Sequence, residues 1–385
     1  MRRALVAVEL ALTTILLIGA GLMIHSLQRV LGLDRGLNSE QVASGRIAFP
    51  GWSAQRGVRL EHMKAIIAAL ASQRGVTSAG FVNDLPIADE GILMDFAPVH
   101  SPIRRGPDDP GAHWMIASSG YFPSLGIVLQ RGRLFTDTDD SLAPPVAIIS
   151  ESIARKYWPG KDPLGGAIRM GNDPPATIIG VVSDVREQLE RDPLPQLYFP
   201  MAATPVRNVT LVVRGTLPRA ALLSRLTAAV RYVDPSQPVF DVQMMEDVVG
   251  HAIAPRRTDT MVIALFSALA LLLASLGVYA VVAHSVAQRS REFGIRSALG
   301  ATGSDLLSLV SREMVWVTGI GIAAGLAIAW ALARVASSLL YGVTGHDTAT
   351  FVVVPLILLL PAAVATLVPA RRALRVNPAE VMRAE

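Results

Sequence analysis

Cysteine is absent from the 385 residues. That removes thiol nucleophiles, thiolate metal sites and any disulfide framework. It fits a region in an oxidising compartment that needs no covalent staples because it can form a sizeable core. Charge is also scarce, at 17% of residues against 51% hydrophobic, where a soluble protein carries about 25% charged. No GxSxG, GxGxxG or GxxxxGK[ST] pattern occurs, and no nucleophile–base constellation stands out. The chain therefore supplies neither a nucleotide-binding loop nor a catalytic centre of those kinds.

The scarcity of charge is uneven. Between Val30 and Asp259 there are 23 Lys+Arg against 24 Asp+Glu, a net of −1. The remaining residues carry 12 and 7, a net of +5. The basic excess sits at the edges of apolar segments, as in membrane proteins. A pI near 9.7 accordingly implies no nucleic-acid partner.

What is present is long and apolar. Met261 to Gln288 gives 28 residues without Asp, Glu, Lys or Arg, and about 20 suffice to cross a bilayer as a helix. The run then changes to RSREFGIRSALGATGSD, a basic amphipathic block. Leu5 to about Leu27 follows Arg2-Arg3 and is too long for a signal-peptide core, so a retained helix is expected. Glu9, its single acid, belongs to the headgroup zone, to a polar helix interface or to an intramembrane function. Val315 to Ala333 carries Trp316 and Trp330 near its ends and the pair Gly321-x-x-x-Gly325, a spacing that allows close helix packing. Thr348 to Ala370 is uncharged, with Pro355 and Pro361 bending it.

The reading is an α-helical membrane protein with four transmembrane helices, at 5–28, 261–286, 314–336 and 348–370. A large α+β domain at 30–259 is inserted between the first and second. Residues 288–305 form a cytoplasmic segment, 337–347 a short periplasmic loop and 371–385 a cytoplasmic tail. Arg2-Arg3, Arg289/Arg291/Arg296 and Arg371/Arg372/Arg375 then fall on one side, as the positive-inside rule asks, with both termini cytoplasmic.

Within the insert, strands are expected at 41–49, 76–82, 114–117, 146–149, 176–182, 209–214 and 239–242. Helices are expected at 58–72, 151–157 and 218–233, the second capped by Ser150. Residues 83–111 suggest loops or an exposed hairpin. Asp137, Asp139 and Asp140 do not match a Ca²⁺ loop and describe a solvated turn. His62, His100 and His113 show no zinc spacing. No metal or cofactor is expected.

These residues resemble the FtsX-like/MacB-like permease family of ABC-type systems, most nearly the C-terminal half of duplicated permeases of acidobacterial type. The resemblance rests on Gly120-Tyr121-Phe122, Arg131-Gly132-Arg133-x-Phe135, Asp162-Pro163-Leu164-Gly165 and Ile179-Gly180-Val181-Val182. It is strongest in Gln288-Arg289-x-Arg291-Glu292-Phe293-Gly294-Ile295-Arg296-x-Ala298-Leu299-Gly300-Ala301, and continues in Pro369-Ala370-Arg371-Arg372 and Asn377-Pro378-Ala379-Glu380. It implies a MacB-like periplasmic core domain, an FtsX-like permease domain over 260–378, and an inner-membrane location. It also implies a permease subunit, not an enzyme, for export (efflux) or a mechanical task driven by a separate ABC ATPase. The alternative is a non-transporting regulator of a periplasmic hydrolase or sensor.

By position, Arg289, Arg291, Glu292, Phe293, Gly294, Ile295, Arg296, Leu299 and Gly300 are the expected ATPase-coupling residues, with charged contacts, apolar knobs and tight turns. Lipid anchoring by the same arginines is the competing role. Gly321 and Gly325 are the expected helix-packing residues. A homodimer, or pairing with another permease half, and a periplasmic adaptor or effector complete the implied partners.

Overall fold

A computed structural model describes residues 2–49, 56–89, 91–99, 111–171, 173–188, 192–289, 292, 295–296, 303–336 and 347–373. The chain divides into two compact units, Leu33–Ala254 and Met1–Gly32 with Pro255–Glu385.

The first unit is built on a twelve-stranded mixed sheet. In chain order its strands are β1 (Val42–Ala48), β2 (Val76–Val82), β3 (Leu93–Met94), β4 (Phe96–Pro98), β5 (Ala112–Ala117) and β6 (Leu129–Gly132). There follow β7 (Val146–Ser150), β8 (Ala167–Met170), β9 (Ala176–Val182), β10 (Gln196–Pro200), β11 (Asn208–Gly215) and β12 (Val239–Met244). The spatial order is β12-β1-β11-β2-β5-β10-β7-β9-β8-β4, with β3 on β5 and β6 on β9. Two neighbouring pairs, β10/β5 and β7/β9, are parallel and the rest antiparallel. The fold is α+β.

Alternation along the strands explains how both faces are covered. Ala43, Ile47, Phe81, Leu211 and Val213 enter one core, while their neighbours Val42, Val82 and Val212 enter another. Successive strand residues point to opposite faces, so a strand buried on both sides becomes an unbroken apolar run. Leu211 to Val213 is one. Helix α2 (Arg56–Ala71) covers the first face with Met63, Ile66 and Leu70. Helix α5 (Arg219–Val233) joins it through Leu222, Leu226, Ala229 and Val230. The short α3 (Tyr121–Leu125) inserts Tyr121 and Phe122 into the opposite face. Each side chain of that size, fully buried, contributes about 1.5–3 kcal/mol. A third core lies under α4 (Glu151–Tyr157), around Ile149, Ile153, Ile178 and Leu197.

Ser150 departs from expectation. It occupies the N-cap position of α4 but makes no capping bond. Its hydroxyl accepts from the Gln196 backbone N–H at 3.0 Å, and Asp184 Oδ1 instead accepts from the Ser152 N–H at 2.8 Å. A side chain from the end of β9 thus caps a helix that its own N-cap residue does not. The acidic turn differs too. Asp139 is buried rather than solvated, held by Arg133 through two bonds of 2.7 and 2.8 Å and by the Thr136 N–H at 2.8 Å.

The second unit contains α1 (Arg2–Leu31), α7 (Gly303–Ala336), α8 (Thr348–Ala373) and the larger part of α6 (Met245–Gln288). All four are long and apolar enough to cross a membrane. Their outward faces expose Leu265, Phe266, Leu272, Ile320, Leu356 and Leu360, as lipid-facing or partner-facing helices do.

Candidate functional site

The second unit is organised around α1. Small residues bring each of the other three helices close to it. On α7, a Cβ at Gly321 would lie 2.8 Å from the Ala7 carbonyl oxygen and 2.9 Å from Leu10 Cβ. One at Gly325 would lie 2.6 Å from Thr14 Cβ and 2.7 Å from the Ala11 carbonyl. Only hydrogen fits at these positions. Gly319 lies on the opposite, exposed side of α7, where a Cβ would meet nothing within 4 Å, so it is not part of this seam.

On α6, a Cβ at Gly277 would lie 2.5 Å from Glu9 Oε2. Ser267 Oγ donates to the Leu16 carbonyl at 2.9 Å, and Arg256 Nη1 donates to Ser26 Oγ at 3.1 Å. Glu9 therefore belongs to a helix interface, one of the settings its position allowed. On α8, Gly21 of α1 faces the Thr350 side chain, and His25 Nδ1 lies 3.0 Å from Asp347 Oδ2. Asp347 accepts as well from the N–H and hydroxyl of Thr350. The Thr350 hydroxyl, with help from His25, holds the Asp347 carboxyl below its ordinary range.

Register fixes direction. Ala7 and Ala11 meet Gly321 and Gly325 in the same order, so α7 runs parallel to α1. Glu9, Leu16 and Ser26 meet Gly277, Ser267 and Arg256 in descending order, so α6 runs antiparallel. Gly21 and His25 meet Thr350 and Asp347, so α8 is antiparallel too. The start of α1, the end of α6, the start of α7 and the end of α8 share one end of the bundle.

The segment expected to couple leaves α6 at that end. Arg289 closes the last turn, its N–H shared between the Ser285 and Val286 carbonyls at 3.2 Å each. Glu292 and Arg296 are exposed and paired at 2.6 Å, four residues apart. Ile295, 55% exposed, lies between them in sequence. Arg291, Phe293, Gly294, Leu299 and Gly300 lie outside the described residues. An exposed ion pair contributes at most about 1 kcal/mol, so Glu292 and Arg296 can exchange each other for charges on another surface at small cost.

Two family descriptions match. The MacB-like periplasmic core domain covers residues 12–234 and the FtsX-like permease C-terminal region covers residues 264–378. The chain belongs to the FtsX-like/MacB-like permease family. Members of this kind are multi-pass inner-membrane proteins, and the α+β unit is its large periplasmic domain.

The chain is 26% identical over 275 residues to the ABC transporter permease YknZ of Bacillus subtilis, covering 70% of this chain and 69% of that one. It is 28% identical over 272 residues to the macrolide export ATP-binding/permease protein MacB of Azoarcus sp., covering 66% of this chain and 40% of MacB. It thus spans well under half the length of that relative. A solved periplasmic region of MacB from Actinobacillus actinomycetemcomitans is 18% identical, covering 58% of this chain and 97% of that one, with a TM-score of 0.39. Both matched regions are permease-type.

Sequence reasoning did not find Gly277 or Gly21 as packing residues. Gly277 is isolated in its apolar run and Gly21 follows Gly19 in another, and only the register of α1 reveals either contact. Nor did it pair His113 with Glu187, 74 positions apart.

Proposed function

We propose that this protein is the permease subunit of an ABC-type system, in which a separate ATPase docks on residues 289–301. The energy of ATP hydrolysis is then used on the periplasmic side. The observation that carries this is the convergence of helix ends. The end of α6 and the start of α7 flank the segment and lie at the same end as the first residues of α1. A displacement of the segment would be felt at once by two helices packed on α1. The exposed Glu292–Arg296 pair and Ile295 supply charged and apolar contacts for docking.

That end is cytoplasmic in this proposal, and both termini with it. The finer resemblance to half of a duplicated permease supports function as a pair, with a second copy or another permease half, because an ATPase dimer presents two equivalent docking surfaces. The export role in the name of the MacB relative supports export as the periplasmic task, with an adaptor as a further partner.

The test exchanges the two charges, Glu292→Arg with Arg296→Glu. The i, i+4 pair survives the swap while the outward charge pattern is inverted. Co-purification of the partner ATPase should fall at least tenfold with membrane insertion unchanged. Undiminished co-purification would overturn docking at this segment.

A further inference from the structure

The periplasmic domain contains an open cleft of about 450 Å³, within the range of about 300–1,000 Å³ typical of small-molecule sites. Five separate stretches of chain meet there. One wall is α2, presenting Leu60, Lys64 and Ile67. The floor is Phe81 of β2 with Ser119 beyond β5. The far wall is Phe135, Asp137 and Met201.

The apolar part is a built surface. Met63, Phe81, Phe135 and Met201 are each at most 4% exposed and back the cleft from the core, while Leu60 and Ile67 of α2 line it with side chains still partly exposed. Leu60 and Ile67, with Ala68 beside them, leave an apolar strip along α2 on this wall. Ser118 is committed, accepting from the Phe81 N–H at 2.8 Å. Ser119 is exposed, and its hydroxyl has no partner among the described residues.

Lys64 is the group left over. It is half-buried on the wall, and among the described residues it has no ion-pair partner. A lysine in such a position lays its methylene stem along apolar surface and holds the ammonium at the edge. Glu61, one turn earlier, is exposed, and so is Asp137 across the cleft. Neither is bound to it. An acid arriving with its apolar body along Leu60 and Ile67 would meet an ammonium that is half-buried and, among the described residues, unpaired.

We propose that this cleft binds an amphipathic small molecule bearing one acidic group, with its apolar body on Leu60 and Ile67 of α2 and its acid on Lys64 between them. The site is independent of the docking of an ATPase, and extends the proposed function by naming a ligand class for the periplasmic side.

The absence of cysteine gives a direct readout. Ser119→Cys places the only thiol of the chain in the cleft, and Ser236→Cys places one at an exposed position outside its lining. Labelling by a neutral maleimide is followed in the full chain in lipid nanodiscs, with laurate, dodecanol or dodecylamine as probe and no ATPase present. Saturating laurate should slow labelling at position 119 at least tenfold and leave position 236 unchanged. Dodecanol should protect at least tenfold more weakly in concentration, and dodecylamine no better than dodecanol. Lys64→Gln should reduce laurate to the level of dodecanol, and Lys64→Arg should retain protection. No protection by laurate, equal protection by dodecanol, or stronger protection by dodecylamine would each overturn the proposal. None of these outcomes bears on the coupling segment, whose test is separate.

Discussion

His113 Nε2 lies 2.5 Å from Glu187 Oε2, with the two side chains only 3% and 7% exposed. The pair belongs to a chain of buried polar groups. Gln196 Nε2 donates to Glu187 Oε1 at 3.0 Å, and the Tyr198 hydroxyl donates to Gln196 Oε1 at 2.7 Å. Tyr121, buried beside them, has its hydroxyl pKa pushed well up, first by burial and then by the Glu187 carboxylate. Gly91 packs against His113 Nδ1, leaving no room there for a side chain. The network ties β5 and β10, which are paired in parallel, to the segment after β9.

Removing one member of a buried pair strands the other. Glu187→Leu takes the acceptor away from both His113 and Gln196, and should destabilise the periplasmic domain by roughly 3–5 kcal/mol. His113→Leu in the same protein should recover part of that loss, because contacting residues are coupled by about 0.5–3 kcal/mol. Thermal unfolding of the full chain and its single and double variants measures both. Strict additivity would show that the two groups do not interact.

Much of this architecture was legible because its signals are long. The apolar run from Met261, the heptad-like spacing of Leu60, Met63, Ile66, Ile67 and Leu70, and the strands at Val76–Val82 and Ala176–Val182 each repeat one pattern over enough residues to be unambiguous. β8 and β10 were not legible. Ala167–Met170 has four residues, one of them Arg169, and Gln196–Pro200 is hemmed by Pro193, Pro195 and its own Pro200. Such strands exist because neighbours pair with them, and pairing is not written in the strand itself. The same holds for the contacts that matter most. Glu9 announced a polar requirement without naming Gly277, and Ser150 carried a capping signal whose function Asp184 had taken over. The cleft beside Lys64 is assembled from five stretches with no common motif.

The α1–α7 seam separates steric from compositional effects of glycine. Gly325→Ala puts a methyl against Thr14 Cβ and the Ala11 carbonyl, and Gly321→Ala one against Ala7 and Leu10. Both should cost about 1–3 kcal/mol of overpacking, seen as a lower melting temperature and lower yield of monodisperse protein in detergent. Gly319→Ala meets nothing within 4 Å and should be neutral or slightly stabilising, since alanine favours the helix by about 1 kcal/mol over glycine. Equal effects at all three positions would mean that the seam does not govern stability.

Asp139 gives the periplasmic domain a defined acid sensitivity. The Arg133 side chain, followed by bonds from Thr136, lowers its carboxyl pKa to about 2. In the unfolded chain it returns to about 3.9. A depressed folded pKa contributes stability that is fully present above the unfolded value and is lost as pH falls towards the folded one. The contribution should therefore hold above about pH 5 and decline between roughly pH 4 and pH 2. Arg133 is half exposed, so solvent screens the ion pair and the backbone and hydroxyl bonds carry much of the effect. Asp139→Asn should cost about 1–3 kcal/mol near neutral pH and flatten the stability curve between pH 4 and 2. An unaltered slope in that window would remove Asp139 from the account.

The direction of the helices can be checked at Gly171 and Gly303. Gly171 lies in a turn at φ +51°, with no atom within 4 Å of the space a side chain would occupy, so an insertion there disturbs little. Gly303 opens α7 at the end of the bundle shared by the start of α1 and the end of α6. With the basic end in the cytoplasm, a reporter that works only in the periplasm should be active at Gly171 and silent at Gly303, and a cytoplasmic reporter should give the reverse. The register of α1 with α6, α7 and α8 makes the outcomes dependent on one another. Gly171 lies between α1 and α6 in sequence and Gly303 follows α6, so a single crossing separates them. The same sign at both positions would break the antiparallel pairing of Glu9 with Gly277 and Leu16 with Ser267. Reversed signs would leave the bundle intact and place residues 289–301 outside the cytoplasm, where no ATP-hydrolysing partner could reach them.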